Sequence, residues 1–114
     1  MDENITARWS KLVEKLNKQF DADFDLNGIL FLIGVQELGK GFVELSKDQK
    51  MDAMHIATCR VLSKEGFYEF QGTDEEGWPH YAPKKTLPRL SPGQQNAFMK
   101  KAILHYFEDA DKLA

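Results

Sequence analysis

The sequence predicts a mainly α protein: about four helices packed as one small bundle-like domain, with a short β-hairpin between the third and fourth. Three observations predict it. Apolar residues recur at three- and four-residue spacings in separate segments. Ser46 with Gln49, and Ser91 with Gln94, form capping boxes at the head of two of those segments. Between them, two short aromatic runs flank an acidic turn, the pattern of a hairpin.

In the first segment Ile5, Trp9, Leu12, Val13, Leu16 and Phe20 form one stripe, with Arg8, Lys11, Glu14, Lys15 and Lys18 mostly opposite. The helix should end near Phe20, where aspartates begin to alternate with apolar residues. From Leu26 to Leu38 the chain is apolar on nearly every face. Asp25 is a suitable cap and Gly39 a suitable stop, giving a buried central helix. Gly28 and Gly34 weaken that helix, and a buried strand over Ile29–Ile33 is the alternative; within a helix the glycines allow close approach of a neighbour.

The third helix runs from Ser46 to about Lys64, with Met51, Met54, His55, Thr58, Val61 and Leu62 expected inside, Ile56 and Ala57 widening the apolar arc, and Gly66 as the stop. Phe67–Gln71 and Trp78–Tyr81 read as paired strands, and Pro79 keeps the second at an edge. Pro83 to Pro88 makes a stiff connection. Pro92 then stands at the first position of a fourth helix, whose core face is Phe98, Met99, Ala102, Ile103, Tyr106, Phe107 and Ala110.

Length and composition narrow the class. A chain of 114 residues suits one domain, 1–114, and 42% hydrophobic content excludes a disordered or collagen-like chain. One cysteine, Cys59, forms no internal disulfide and suits a reducing compartment. No apolar run approaches the ~18 residues of a membrane span, and the acidic start is unlike a secretory signal. A cytoplasmic protein is expected.

Two near-motifs fail on one residue each. Gly34 to Gly41 resembles a phosphate-binding loop, but Gly41 replaces the hydroxyl that would bind magnesium. Asp23 to Gly28 matches the start of a calcium loop, yet Gly34 stands where the bidentate glutamate belongs. No cofactor is implied, and no residue is assigned a catalytic role.

Three sets of residues remain as candidates. The hairpin gathers Phe70, Asp74, Glu75, Glu76, Trp78, His80 and Tyr81, amphipathic rings beside an acidic turn, which suits a protein partner or self-association. Asp52, His55 and Cys59 share one helical face and offer an alternative metal or enzyme centre, with Glu37, His80 or His105 to complete it. Lys84, Lys85, Arg89, Lys100 and Lys101 lie in a stretch, 77–107, that has no acid. It carries +5, against −6 for residues 1–76, and offers an alternative RNA or anion site.

Met51-Asp52-Ala53-Met54-His55-Ile56-Ala57-Thr58-Cys59-Arg60-Val61-Leu62-Ser63, then Gly66-Phe67-Tyr68-Glu69-Phe70-Gln71-Gly72, then Asp74-Glu75-Glu76-Gly77-Trp78-Pro79-His80, resembles a group of small uncharacterised bacterial proteins. With Phe31 to Gly39 the resemblance covers about two thirds of the chain. It implies a bacterial cytoplasmic protein and transfers no activity, cofactor or site residue. The expected function is therefore a non-enzymatic interaction or accessory protein acting through the 67–81 hairpin.

Overall fold

The computed structural model describes residues 2–38 and 45–108. Its fold class is the expected one. Helices α1 (Asp2–Phe20), α2 (Leu26–Leu38) and α3 (Lys47–Lys64) precede strands β1 (Tyr68–Thr73) and β2 (Pro79–Pro83), and α4 (Pro92–Glu108) follows. The chain divides into two compact units, Met1–Leu26 with Pro88–Ala114, and Asn27–Leu87.

In the first unit α1 pairs with α4. The Arg8 guanidinium grips Glu108, with Nη2 2.5 Å from Oε1 and Nε 3.1 Å from Oε2. Both side chains remain partly in water, so the pair contributes no more than about 1 kcal/mol. The ammonium of Lys100 sits 5.5 Å from the centre of the Trp9 ring. Leu16, Ala102, Ile103, Leu104, Tyr106 and Phe107 are buried. Leu104 adds to the expected face, whereas Ala110 lies outside the described residues. Helix α1 ends where expected, by a device its sequence does not advertise. Asp21 takes the left-handed conformation (φ 50°) that glycine usually supplies, and Ala22 N–H reaches back to Asn17 O at 3.0 Å. The Asn17 side chain then accepts Phe24 N–H at 2.7 Å, and Phe24 meets Phe20 edge-on.

In the second unit, α2 is a helix throughout and the strand alternative falls. Seven of its thirteen residues are buried, on all sides, which is why its sequence shows no polar face. Its first turn already includes Leu26–Gly28, so the calcium-like segment does not form a calcium loop. Gly39, the expected stop, and Lys40–Gly41 lie outside the described residues. Ser46 caps α3 as predicted: its hydroxyl accepts Gln49 N–H, and Gln49 Oε1 accepts Ser46 N–H. At the other end Gly66 adopts φ 87°, with Gly66 N–H bonded to Ser63 O and Phe67 N–H to Leu62 O.

The inward face of α3 keeps Ile56, Ala57, Val61 and Leu62 of the expected arc but departs from it at Met51, Met54, His55 and Thr58. Ala53, Ile56, Ala57, Cys59, Val61 and Leu62 are buried. Met51 is 63% exposed, His55 is exposed, and Met54 and Thr58 are half-buried. The reason is the approach of α2. A Cβ added at Gly34 would lie 2.3 Å from Ala53 O, so the two backbones nearly touch. That crossing admits alanine and excludes methionine.

The hairpin closes this unit. Trp78 and Tyr81 pack on Leu38, Ala53 and Ile56, with Phe31 and Leu45 at the margin. Its strands are antiparallel, Phe70 opposite Tyr81, with a bulge at the next residue, Gln71. The second capping box, Ser91 with Gln94, forms as expected and opens α4.

The Gly34 crossing generates a test. Gly34→Ala forces a backbone shift and should destabilise the protein by about 1–3 kcal/mol. Gly93→Ala, in the open first turn of α4, meets no atom within 4 Å and should be neutral or slightly stabilising. Urea melts of the two variants should move in those opposite directions.

Candidate functional site

The hairpin turn is built around Asp74. Its Oδ1 accepts the N–H groups of Glu76 and Trp78, each at 2.9 Å, and Gly77 N–H donates to Asp74 O. Gly77 supplies the positive φ (86°) that completes the turn. The other carboxylate oxygen receives His80 Nε2–H at 2.9 Å. The hydrogen bond from His80, then that from the Trp78 amide, holds the Asp74 carboxyl below the usual aspartate range. A short acidic stretch thus becomes a fixed turn.

This turn faces the first half of α3 across a cleft of about 380 Å³. Asp52, His55 and Gln49 line one side; Asp74, Glu76, Trp78 and His80 line the other. Asp52 and His55 therefore share one hollow with His80, as the sequence allowed, and with the acidic aromatic turn. Cys59 does not join them. It is 2% exposed, with Sγ 3.6 Å from His55 Nε2, and burial pushes its thiol pKa up. The imidazole stands at the surface and the sulfur behind it.

Of the groups proposed to complete a metal shell, His80 lines the same cleft as Asp52 and His55, with its Nε2 on Asp74. Glu37 is taken by Arg60, whose Nε lies 3.1 Å from Glu37 Oε1, and His105 belongs to the other compact unit. Among the described residues, no group of three His, Cys, Asp or Glu side chains is placed to hold a metal ion. The cleft has carboxylates and imidazoles, and the Cys59 thiol lies buried behind His55. What it can do is hydrogen-bond, and attract a positively charged group to Asp52, Asp74 and Glu76.

A second groove, about 300 Å³, lies where β1 overhangs the helices, lined by Glu37, Arg60, Ser63, Phe70 and Tyr81. Phe70 meets Tyr81 edge-on, ring centres 5.5 Å apart, yet Phe70 is 54% exposed. Burial, and secondarily the Glu37 carboxylate, raise the Tyr81 phenol. The Glu37–Arg60 ion pair that forms the polar side of this groove was not singled out from the sequence. Its partners are 23 residues apart, and only the α2–α3 crossing joins them. A third hollow, about 680 Å³ beside Trp9, Val13 and Phe24 of the first unit, carries no converging set of reactive groups.

Of the basic candidates, Lys84 and Lys85 fall in one unit and Arg89, Lys100 and Lys101 in the other. Lys85 lies 4.6 Å from the centre of the Phe67 ring. Glu75 is exposed at the turn tip, between Asp74 and Glu76. No helix among the described residues is long and apolar enough to cross a membrane. No protein-family model, curated protein or solved structure matches the chain.

Two measurements check this geometry. The Cys59 thiol should resist a water-soluble thiol reagent in the native protein and react once urea unfolds it; fast native labelling would place the sulfur at the surface. For Asp74, the folded carboxyl has the lower pKa, so its stabilisation is complete above the ordinary aspartate value. It is lost as pH falls below about 4, through the folded pKa. In an acid titration followed by NMR, the Trp78 amide should respond in that window, and Asp74→Asn should remove the response.

Proposed function

We propose that this chain is a non-enzymatic interaction protein that recognises a protein partner through the 67–81 hairpin. The observation that carries this reading is Phe70. It is a large ring left 54% exposed on a strand whose opposite ring, Tyr81, is packed. Exposed aromatics with a polar rim are the usual anchors of protein interfaces. Here the rim is Asp74, Glu75, Glu76 and His80, all exposed. Trp78 and Tyr81 hold the hairpin to the helices, so contact with a partner falls mainly to Phe70 and the turn.

A catalytic or metal centre at Asp52, His55 and Cys59 has less support, because the thiol is buried away from the cleft. An RNA or anion site has less support too. The cleft beside the hairpin is lined by carboxylates, which repel phosphate. The protein is read as bacterial and cytoplasmic.

The test compares variants in capture from the native lysate. Glu75→Lys with Glu76→Lys alters exposed charges and should shift stability by less than about 0.5 kcal/mol. Phe70→Ala should likewise leave the melting temperature nearly unchanged. Each should weaken partner binding, Phe70→Ala by about 2 kcal/mol if the ring is an anchor. Variants that unfold, or that retain every partner of the parent at full strength, would reduce the hairpin to a structural lid.

A further inference from the structure

The cleft between α3 and the hairpin turn has a composition that neither element explains by itself. Its carboxylates come from two places: Asp52 from the helix, and Asp74 with Glu76 from the turn. Among the described residues that line it, none is Lys or Arg. Lys47 and Lys50 belong to the same stretch of α3, yet neither lines the cleft. Folding therefore sets like charges across a hollow of about 380 Å³ with no basic side chain between them. Asp74 is held by two amides and by His80, so one carboxylate is fixed before any guest arrives. Those three bonds use most of its acceptor capacity, so new contacts fall to Asp52 and Glu76, both exposed.

Two further observations say what kind of cation fits. Trp78 forms part of the wall, seated on Leu38, Ala53 and Ile56. A guanidinium is planar, so it can stack on an indole while pairing with carboxylates, whereas an ammonium is a point charge. Met51 lies one turn before His55 on the same helix face, and it is 63% exposed. A free cation gains nothing from that apolar side chain. A peptide segment with an apolar residue beside its charge does. The volume is near the lower end for ligand pockets, about 300–1,000 Å³, and so suits one or two side chains of such a segment.

We propose that the partner is a basic protein segment, which sets an arginine in this cleft against Asp52, Glu76 and Trp78 and an apolar residue on Met51. This rests on the reading that the hairpin recognises protein, and it adds the chemistry of the partner. The charge of the cleft selects a cation, the indole selects a guanidinium, and Met51 selects a segment over a small molecule.

The test titrates the whole chain, followed by NMR, with a short Gly–Ser peptide that bears arginines and one leucine. Resonances of Asp52, His55 and the Trp78 indole should move first. Asp21, Asp23 and Asp25 form another exposed acidic stretch and should move less. Asp52→Asn and Glu76→Gln should each weaken the peptide about three- to tenfold, and Asp23→Asn should not. Met51→Ala should weaken the peptide about threefold and leave the weaker binding of argininamide unchanged. Glutamates in place of the arginines should abolish binding. The proposal falls if the arginine peptide shifts those three aspartates as strongly as the cleft, or ignores both Asp52→Asn and Glu76→Gln. It falls too if argininamide binds as tightly as the peptide, which would make this a site for a small cation. If the peptide fails while Phe70→Ala still loses a partner from the lysate, the hairpin recognises protein by other chemistry. If Phe70→Ala loses nothing either, the recognition reading fails as well.

Discussion

Around the near-contact of Gly34 with Ala53, the second unit is organised. A glycine at that point lets the α2 backbone come so close to α3 that no methyl group fits between. Once the helices cross there, alanines must continue the contact along α3, and Ala53 and Ala57 are fully buried. The crossing also brings Leu38 and Ile56 together as the patch on which Trp78 and Tyr81 rest. On another side it brings Glu37 of α2 to Arg60 of α3. The apolar seat of the hairpin and the polar side of the groove under β1 are therefore consequences of one close approach. Any residue larger than glycine at position 34 would disturb both.

The hairpin depends on that seat. A two-stranded sheet of this length has little stability of its own in water. Its strands are held by the rings beneath them and by Asp74, which organises the turn through its side chain and its own backbone. Aromatic residues in this passage divide by task as a result. Trp78 and Tyr81 point to the helices and close the core, while Phe70, beside Tyr81 but further out, keeps half its surface in water. The acidic residues divide likewise: Asp74 shapes the turn, and Glu75 and Glu76 extend from it.

Local signals were legible in the sequence, and relations set by packing were not. Capping by Ser46 and Ser91, the stop at Gly66 and the hairpin between α3 and α4 each depend on a few adjacent residues, so spacing alone reveals them. The inward face of α3 depends on a neighbour. Hydrophobicity favours Met51 and Met54 for the interior, but the distance to α2 selects alanine. That the α2 glycines allow a close approach was legible; that Ala53 and Ala57 form the other side of it was not. The turn at Asp21 escaped notice because aspartate only occasionally adopts a left-handed backbone. At the site, the hairpin residues were legible as a group. That Asp52 and His55 share their cleft, that Cys59 does not, and that Glu37 is held by Arg60 are facts of tertiary placement.

Chemistry at the cleft follows from the same division between inside and outside. On α3, His55 and Cys59 are one turn apart, the spacing at which an imidazole could activate a thiol. The helix is set so that one lies at the surface and the other within. Burial raises the thiol pKa and keeps sulfur in its protonated, weakly nucleophilic form. An imidazole beside a protonated, inaccessible thiol has no nucleophile to activate. Cys59 lies inside as a small apolar sulfur, and His55 stands at the rim as a polar ring. The cleft thus presents carboxylates and imidazoles to water, and Phe70 leaves half of its ring exposed beside Tyr81. In β2, Pro79 and Pro83 lack N–H groups, so that strand is a poor template for a further strand.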